Sequence, residues 1–540
     1  VTPAHKYQLA LSMFRLAWCR AVPADRVLSA GTSTPRLSPL AHSLYLRSVS
    51  LHQASSHSST HSESDSSSPT GAATVVTSSS SVDQEQLESL CKRRGFVFPG
   101  SEIYGGLAGS KDYGPLGVRL KRNLQNLWWR SFVYSRVDVE PIETRIICHP
   151  EVWRTTGHLG EFGHEMFETK FGTPSLQTAT GQQTPSSPDP DRNDAESSEN
   201  NNNNNNDNKN KEKKLSKTER QELQRQRALE EQGFGKVLTA YLRPETAQGS
   251  IMSFKQVVAS MRRQLPFGIA AVGPSFRNEI SPGNFLFRSR EFEQMEMQFF
   301  CPPDSSKDWH HHWVEFCVNW LKMVGLKDES IRLHQHGPEE LAHYSLATTD
   351  IEFAYPFGWG ELWGISNRSD FDLRSHDTRT QKDLRYRDPL KLVPPFYPHI
   401  VEPAIGTDRL VYAVLTDALR EETFENGTTR LVLRLQPHVA PYRFAILPLL
   451  KKAPLVEKAE RIFTHLRQAC IPCDMDVSGS IGRRYRRQDE IGTPHCITVD
   501  FDTLEDDAVT IRCRDSMQQE RVSIEEFIAR QQPQLGAWPQ

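Results

Sequence analysis

"FRNEISPGNFLFRSREFEQMEMQFF", residues 276–300, interleaves arginine, glutamate and phenylalanine too finely for a surface helix or a core strand. A surface helix sorts the two kinds by face, and a fully buried strand lacks the charges. The second half alternates. Met295, Met297 and Phe299 fall on one side of an extended strand, and Gln294, Glu296 and Gln298 on the other. The apolar side meets a core. The other side offers a carboxylate and two amides, a surface suited to a small polar ligand bearing an ammonium group. In the first half, Ser281, Pro282, Gly283 and Asn284 mark a loop between an outgoing and a returning strand. Arg277, Arg288 and Arg290 gather about that hairpin, where guanidinium forks clamp phosphates. Phe292, closing the loop, can stack on a base. The bland alternative is a sheet edge with solvated charges.

The chain around it has 540 residues, too many for one ordinary core, so two or three domains are expected. Its 37% hydrophobic and 24% charged residues fit a soluble globular protein. A net charge of −3 leaves any nucleic-acid contact to local patches. No apolar run approaches the ~20 residues of a membrane span, so no membrane partner is expected. The nine cysteines are scattered, which suggests reduced thiols. Cys470 and Cys473 form the one close pair, without a second pair at zinc-finger spacing, so no zinc is expected. Consecutive His310, His311 and His312 on a helix point in different directions and do not suggest a metal site.

Residues 1–81 read as a disordered, transit-like segment. Up to residue 62, Lys6, Arg15, Arg20, Arg26, Arg36 and Arg47 face a single acid, Asp25, in a serine-rich background. A helix follows Val82. Gly114 and Pro115 then open another with Leu116, Leu120, Leu124, Trp128 and Phe132 on one stripe. That stripe is wider than one core contact needs, which points to a second subunit. Residues 172–232, with the asparagine run 200–206, are of low complexity and read as an insertion that cannot offset its ordering entropy. It splits one domain, 82–171 and 233–437. A final unit, 438–540, alternates apolar strands with helices, as in a small α/β domain. Its stretch "GRRYRRQDEIG", 482–492, sets arginines around Tyr485, a pattern suited to unstacked bases, with a solvated charged loop as the alternative.

Phe276-Arg277-Asn278-Glu279 followed by Arg288, Phe292 and Glu296 resembles motif 2 of class II aminoacyl-tRNA synthetases. "EPAIGTDRL", 402–410, resembles their motif 3, and the helix at 115–134 with the extended segment after it their dimer-forming motif 1. "GFVFPGSEIYGGLAGSKDYGPLG", "YLRPETAQGS", "HYSLATTDIEFAYPFGWGELWGI" and "RSDFDLRSH" narrow this: over 82–171 and 237–530 the chain is similar to glycyl-tRNA synthetases of the bacterial-type α2 form. The fold so implied is α/β (α+β), an antiparallel-sheet class II catalytic domain plus a C-terminal α/β anticodon-binding domain.

The resemblance implies roles. Arg277 would bind the α-phosphate of ATP and the glycine carboxylate, and Arg288 the γ-phosphate. Adenine would lie between Phe292 and Arg409, with Glu279 at its edge. Glu361 would help hold ATP and its magnesium. Arg277, Arg409 and Glu361 are thus the expected catalytic residues. Asn278, Phe287, Ser289, Arg290, Glu291, Leu362, Gly406, Thr407 and Asp408 complete the expected ATP site. Glu245, Arg368, Glu296 and Glu402 would line the glycine site, with Phe292, Glu293, Gln294, Met295, Pro403, Ala404, Ile405 and Gly406 beside them. Arg483, Arg484, Tyr485, Arg486 and Arg487 would meet the anticodon. Two departures stand out. The family has a glycine-binding serine where this chain has Ala404. Its basic segment after the Gly-His-Leu stretch has no counterpart in "GHLGEFGHEMFETK", so no residue is carried over from there.

The expected partners are therefore tRNA(Gly), glycine, ATP with Mg2+, and a second copy of the chain. The expected place is an organellar matrix, the mitochondrion first, with plastid or additional cytosolic forms as alternatives. One rival is a synthetase-like nucleic-acid-binding accessory subunit of an organellar polymerase, without aminoacylation. Arg277, Arg409, Phe292 and Glu361 count against it. A second rival is a class II synthetase for proline, threonine, serine or histidine, against which stand "RPETAQG" and the acidic site.

Overall fold

Alternation along the quoted stretch builds the centre of the molecule. The structure, a computed structural model, describes residues 75–79, 83–161, 166–174 and 234–531. Residues 1–74 of the transit-like segment and nearly all of the low-complexity insertion lie outside the described residues. Within 1–81, read as disordered, Val75–Ser79 is instead a strand paired antiparallel with Leu419–Phe424, whose edge offers it backbone partners. Seven strands form the main sheet: β1 Val139–Pro141, β2 Phe267–Phe276, β3 Glu291–Cys301, β4 Ile331–Gln335, β5 Ala347–Tyr355, β6 Gly358–Ser369 and β7 His399–Gly406. Their order is β4-β5-β6-β7-β3-β2-β1, antiparallel except where β1 joins β2. β2 and β3 are the expected hairpin, paired from Phe267 with Phe300 to Phe276 with Glu291.

Met295, Met297 and Phe299 are buried in the main core. They share it with apolar side chains of three helices: α1 Pro115–Trp129, α2 Ser306–Val324 and α3 Thr407–Ala418. Pro at the first position of α1 supplies a preset φ where a missing N–H costs nothing. The stripe Leu116, Leu120, Leu124, Trp128, Phe132 is buried to its end, and Phe132 stacks on Trp128 at 4.7 Å and on Trp313 at 5.8 Å. Burial of a side chain this size stabilises by roughly 1.5–3 kcal/mol. The stripe that suggested a second subunit is therefore consumed within its own chain, because α2 brings its aromatic face against it.

Strand β3 departs from a half-exposed strand. Gln294, Glu296 and Gln298, expected on a ligand-facing side, are at most 9% exposed. Each has a partner: Ser275 Oγ donates to Gln294 (2.6 Å), Thr246 Oγ1 to Glu296 (2.5 Å), and Gln298 Nε2 to Glu402 (2.6 Å).

The C-terminal sheet consists of β8 Phe444–Pro448, β9 Cys473–Met475, β10 His495–Val499, β11 Ala508–Cys513 and β12 Gln519–Ser523, in the order β9-β8-β10-β11-β12. Helix α4, Ala453–Gln468, packs on it through Leu455, Ala459, Ile462 and Leu466. The arginine-rich stretch expected as an RNA-binding loop is helix α5, Ile481–Glu490, and most of its candidates are committed elsewhere. Arg484 is 1% exposed and donates to the carbonyls of Pro448, Leu449 and Asp476. Tyr485 bonds Thr498, Arg486 lies over the Phe424 ring, and Arg487 donates to Asp476. Arg483 alone of the five is exposed.

Helix α5 docks on the hairpin Leu419–Phe424 and Thr429–Leu433 through a buried ionic cluster. Arg430 donates to Glu422 (2.7 Å) and to Asp489 (3.1 Å), and Arg512 donates to Asp489 (2.9 Å). All of these are at most 9% exposed. Removing one partner of such a pair leaves a charge buried without compensation. Asp489→Asn should therefore cost about 3–5 kcal/mol in urea denaturation; a loss under about 1 kcal/mol would show that the cluster does not hold the two parts together.

Candidate active site

The face of the sheet opposite α1 to α3 opens into a cavity of about 300 Å³. Strands β3, β5, β6 and β7 supply its floor, and the loop between β2 and β3 its wall. Gly109, with φ at 72°, lets the segment before α1 approach Pro282 of that loop; a Cβ there would come within 2.2 Å of the proline ring.

One end is basic and aromatic. Arg277 Nε donates to the Pro244 carbonyl (3.1 Å), and its guanidinium stands over Phe292 at 5.4 Å. Arg409 lies over Phe287 at 4.3 Å and donates to Glu361 at 3.0 Å. The ring that carries Arg409 is thus Phe287, whereas the sequence paired Arg409 with Phe292 around a base. Burial opposes ionisation of Glu361, but Arg409 and then Arg277 hold its carboxyl below the usual range. Arg288 is half-exposed, 4.0 Å from Glu279.

The other end is acidic and deeply buried. Arg368, 1% exposed, donates to Asp372 (2.9 and 3.1 Å) and Glu402 (2.9 Å), lies 3.6 Å from Glu245, and stands over Tyr344 at 4.1 Å. Gln248 bridges Glu245 (3.2 Å) and Asp372 (2.8 Å), and His158 lies 3.5 Å from Glu245. Burial, followed by the charges of Glu402 and Glu245, pushes Glu296 up to about 8. Burial also raises Glu402 despite Arg368. Glu245 goes the other way: burial opposes its charge, but Arg368 and His158 prevail. The carboxylates outnumber the one guanidinium, so the end is short of a cation.

Of the residues singled out from sequence, the cavity gathers Glu245, Arg277, Glu279, Phe287, Arg288, Ser289, Phe292, Gln294, Glu296, Glu361, Leu362, Arg368, Glu402, Ala404, Gly406, Asp408 and Arg409. Asn278, Thr407 and Pro403 are outside its lining. Arg290, Glu291 and Glu293 line a separate cleft with Leu107–Tyr113 and Lys121. Met295 and Ile405 face the core, because they fall on the odd side of their strands. The sequence reading missed His158, Gln248, Tyr344, Ser366 and Asp372. Asp372 had a signal: it stands in the quoted "RSDFDLRSH", four residues after Arg368. Gln248 and Thr246 sit in the quoted "RPETAQG", whereas Tyr344 and Ser366 carry no spacing signal.

Comparison with known proteins agrees with this architecture. Residues 238–418 match the family model described as tRNA synthetase class II core domain (G, H, P, S and T), and residues 443–532 that of the anticodon binding domain. The chain is 46% identical to a glycine–tRNA ligase of Lysinibacillus sphaericus, over 82% of this chain and 97% of that one. It is 44% identical to one of Acetivibrio thermocellus and 47% to one of Bacillus thuringiensis, with the same shares covered. Among solved structures it resembles the RNA binding domain of threonyl-tRNA synthetase from Cryptosporidium parvum, with TM-score 0.57 and 18% identity over 82% of this chain and 96% of that one. At that identity the likeness concerns the fold.

The raised Glu296 has a measurable sign. A cationic ligand prefers the ionised carboxylate, while the free protein keeps the proton until about pH 8. Binding below that pH expels a proton. For glycine, the ligand the sequence implies, affinity should rise with pH up to about 8, by at most about tenfold per unit. Calorimetry in two buffers of different ionisation heat reads the proton directly. Glu296→Gln should flatten the dependence; pH-independent affinity in the parent protein would contradict the assignment.

Proposed function

This chain belongs to the family of class II glycine–tRNA ligases, and we propose that its cavity is where glycine is activated with ATP before transfer to tRNA. The protein is an aminoacyl-tRNA ligase. The glycine carboxylate oxygen attacks the α-phosphorus of ATP, the bond to the bridging oxygen breaks, and pyrophosphate leaves with the electron pair. The terminal ribose hydroxyl of tRNA then attacks the carbonyl carbon of glycyl-adenylate, and AMP leaves. Neither step needs a protein nucleophile. The work is positioning and charge neutralisation.

The observation that carries the site assignment is the division of one cavity into a cation-rich end and a cation-deficient end. Glu296, Glu402 and Glu245 take the ammonium group, and Arg277 meets both the carboxylate and the α-phosphate. Arg409 and Phe287, with Phe292, hold the base, and Arg288, half-exposed, reaches the outer phosphates. Among the described residues no cluster of three or more His, Cys, Asp or Glu is arranged to hold a metal ion by itself. Glu361, kept ionised by Arg409, is a hard oxygen donor that fits magnesium carried on ATP phosphates, where the ion neutralises charge. Glycine is the smallest amino acid, so a tight pocket excludes the others by clash, and no editing site is required. The accessory-subunit alternative has no observation in its favour, since Arg277, Arg409, Phe292 and Glu361 all line the cavity.

Arg277→Gln should abolish glycine-dependent ATP–pyrophosphate exchange while leaving the thermal transition near that of the parent. Loss of one such electrostatic contact removes about 3–4 kcal/mol of transition-state stabilisation, a rate loss of order 10²–10³. Parent protein that fails to exchange with glycine at saturating ATP and magnesium would overturn the reading.

The active form is a homodimer in this proposal, supported by Tyr134 and Val137, which follow α1 and remain 65% and 86% exposed. An active monomer in sedimentation at assay concentration would refute it. Residues 1–62 direct import into an organellar matrix, the mitochondrion, on the strength of their basic, acid-poor composition. A reporter fused to them that stays cytosolic would refute that.

A further inference from the structure

Ala404 stands where the family resemblance places a ligand-binding serine, yet a hydroxyl lies one strand away. Ala404 of β7 pairs with Gly364 of β6, and Ser366, two residues along β6 and on the same face, pairs with Glu402. On its other side Ala404 pairs with Glu296 of β3. Ser366, Ala404, Glu402 and Glu296 all line the cavity. Position 404 contributes only a methyl group and 364 no side chain, so on this stretch Glu402, with Ser366 beside it, supplies the polar atoms nearest Glu296 on β6 and β7.

Ser366 also ends a row of hydroxyls. Its Oγ is 3.2 Å from Thr348 Oγ1, which is 2.9 Å from Ser345 Oγ. Ser345 Oγ reaches the carbonyls of Ala347 (3.0 Å) and Asn367 (3.3 Å). A carbonyl only accepts, and a hydroxyl has one proton to give. Ser345 therefore donates to a carbonyl and accepts from Thr348, and Thr348 accepts from Ser366. The carbonyl end sets the direction of the whole row. Ser366 uses its proton on Thr348 and turns its lone pairs to the cavity, polarised by the bonds behind it. An oriented acceptor beside Glu402 suits an ammonium N–H and disfavours a carboxylate.

We propose that Ser366 accepts a hydrogen bond from the ammonium group of glycine, replacing on β6 the hydroxyl that Ala404 lacks on β7. The inference rests on the glycine-activation reading above. Hydrogen bonds to charged groups are the stronger kind. Ser366→Ala should raise KM for glycine on the order of ten-fold in ATP–pyrophosphate exchange, leaving KM for ATP and the thermal midpoint within twofold and about 2 °C of the parent. Thr348→Val, which breaks the row but keeps its shape, should shift glycine KM in the same direction by less. Adding Ala404→Ser to Ser366→Ala should recover most of the loss, which a merely structural role for Ser366 would not. A glycine KM unchanged by Ser366→Ala, in a parent that exchanges with glycine, overturns this inference and leaves the functional reading standing. Should the parent show no exchange, calorimetry with glycine alone decides: weaker binding by Ser366→Ala supports the contact, and no glycine binding by the parent overturns both.

Discussion

The guanidinium of Arg368 is the point on which the rest of the site depends. It is almost wholly buried, and carboxylates from three different parts of the chain converge on it: Glu245 before the helix Ala247–Met252, Asp372 in the helix Phe371–Thr380, and Glu402 in β7. Withdrawing such ions from water costs several kcal/mol each, and mutual attraction offsets this only when every lone pair and proton is matched. Here the matching is incomplete. Glu296 stands nearby with one hydrogen bond, from Thr246, and keeps its proton into the neutral range. The site is thus held in a compromise that a bound cation would relieve.

The same sheet carries the opposite arrangement a few residues away. Along β3 the cavity side runs from Phe292 beside Arg277 through Gln294 to Glu296, so the basic and acidic ends lie four strand residues apart. A strand rises about 3.3 Å per residue, and alternate residues share a face. The two ends are therefore about 13 Å apart along the strand, a span that fits two reactants set end to end and not one small zwitterion. Holding two reactants on one rigid sheet supplies much of the catalytic advantage available to a reaction without a protein nucleophile.

Much of this was legible in the sequence, for physical reasons that can be named. Period-two alternation over 294–299 assigned both faces of β3, and a glycine–proline start followed by a leucine stripe located α1. What could not be read was the company each side chain keeps. Trp128 and Phe132 looked like surplus apolar surface because α2, which covers them, lies nearly two hundred residues on. Arg484 and Arg487 looked like part of a basic loop because Asp476 and the carbonyls of Pro448 and Leu449, which engage them, are remote or belong to the backbone. Phe287 and Phe292 are both aromatic and both near the hairpin, and only geometry shows which one carries Arg409.

The strands Glu168–Pro174 and Phe234–Leu242 pair antiparallel, and Pro174 faces Phe234 directly. The described residues on either side of 175–233 therefore meet at one point. On the near side of this junction lies His158, on the far side Glu245, and the two sit 3.5 Å apart. The ladder acts as a splice, joining two halves of an active site whatever is written between them. Closing a longer loop adds only a logarithmic entropy term. Selection on catalysis accordingly has almost no grip on the length or wording of the text at this position. It is a margin where a lineage can accrete asparagines, or a whole new domain, without the active site registering the change.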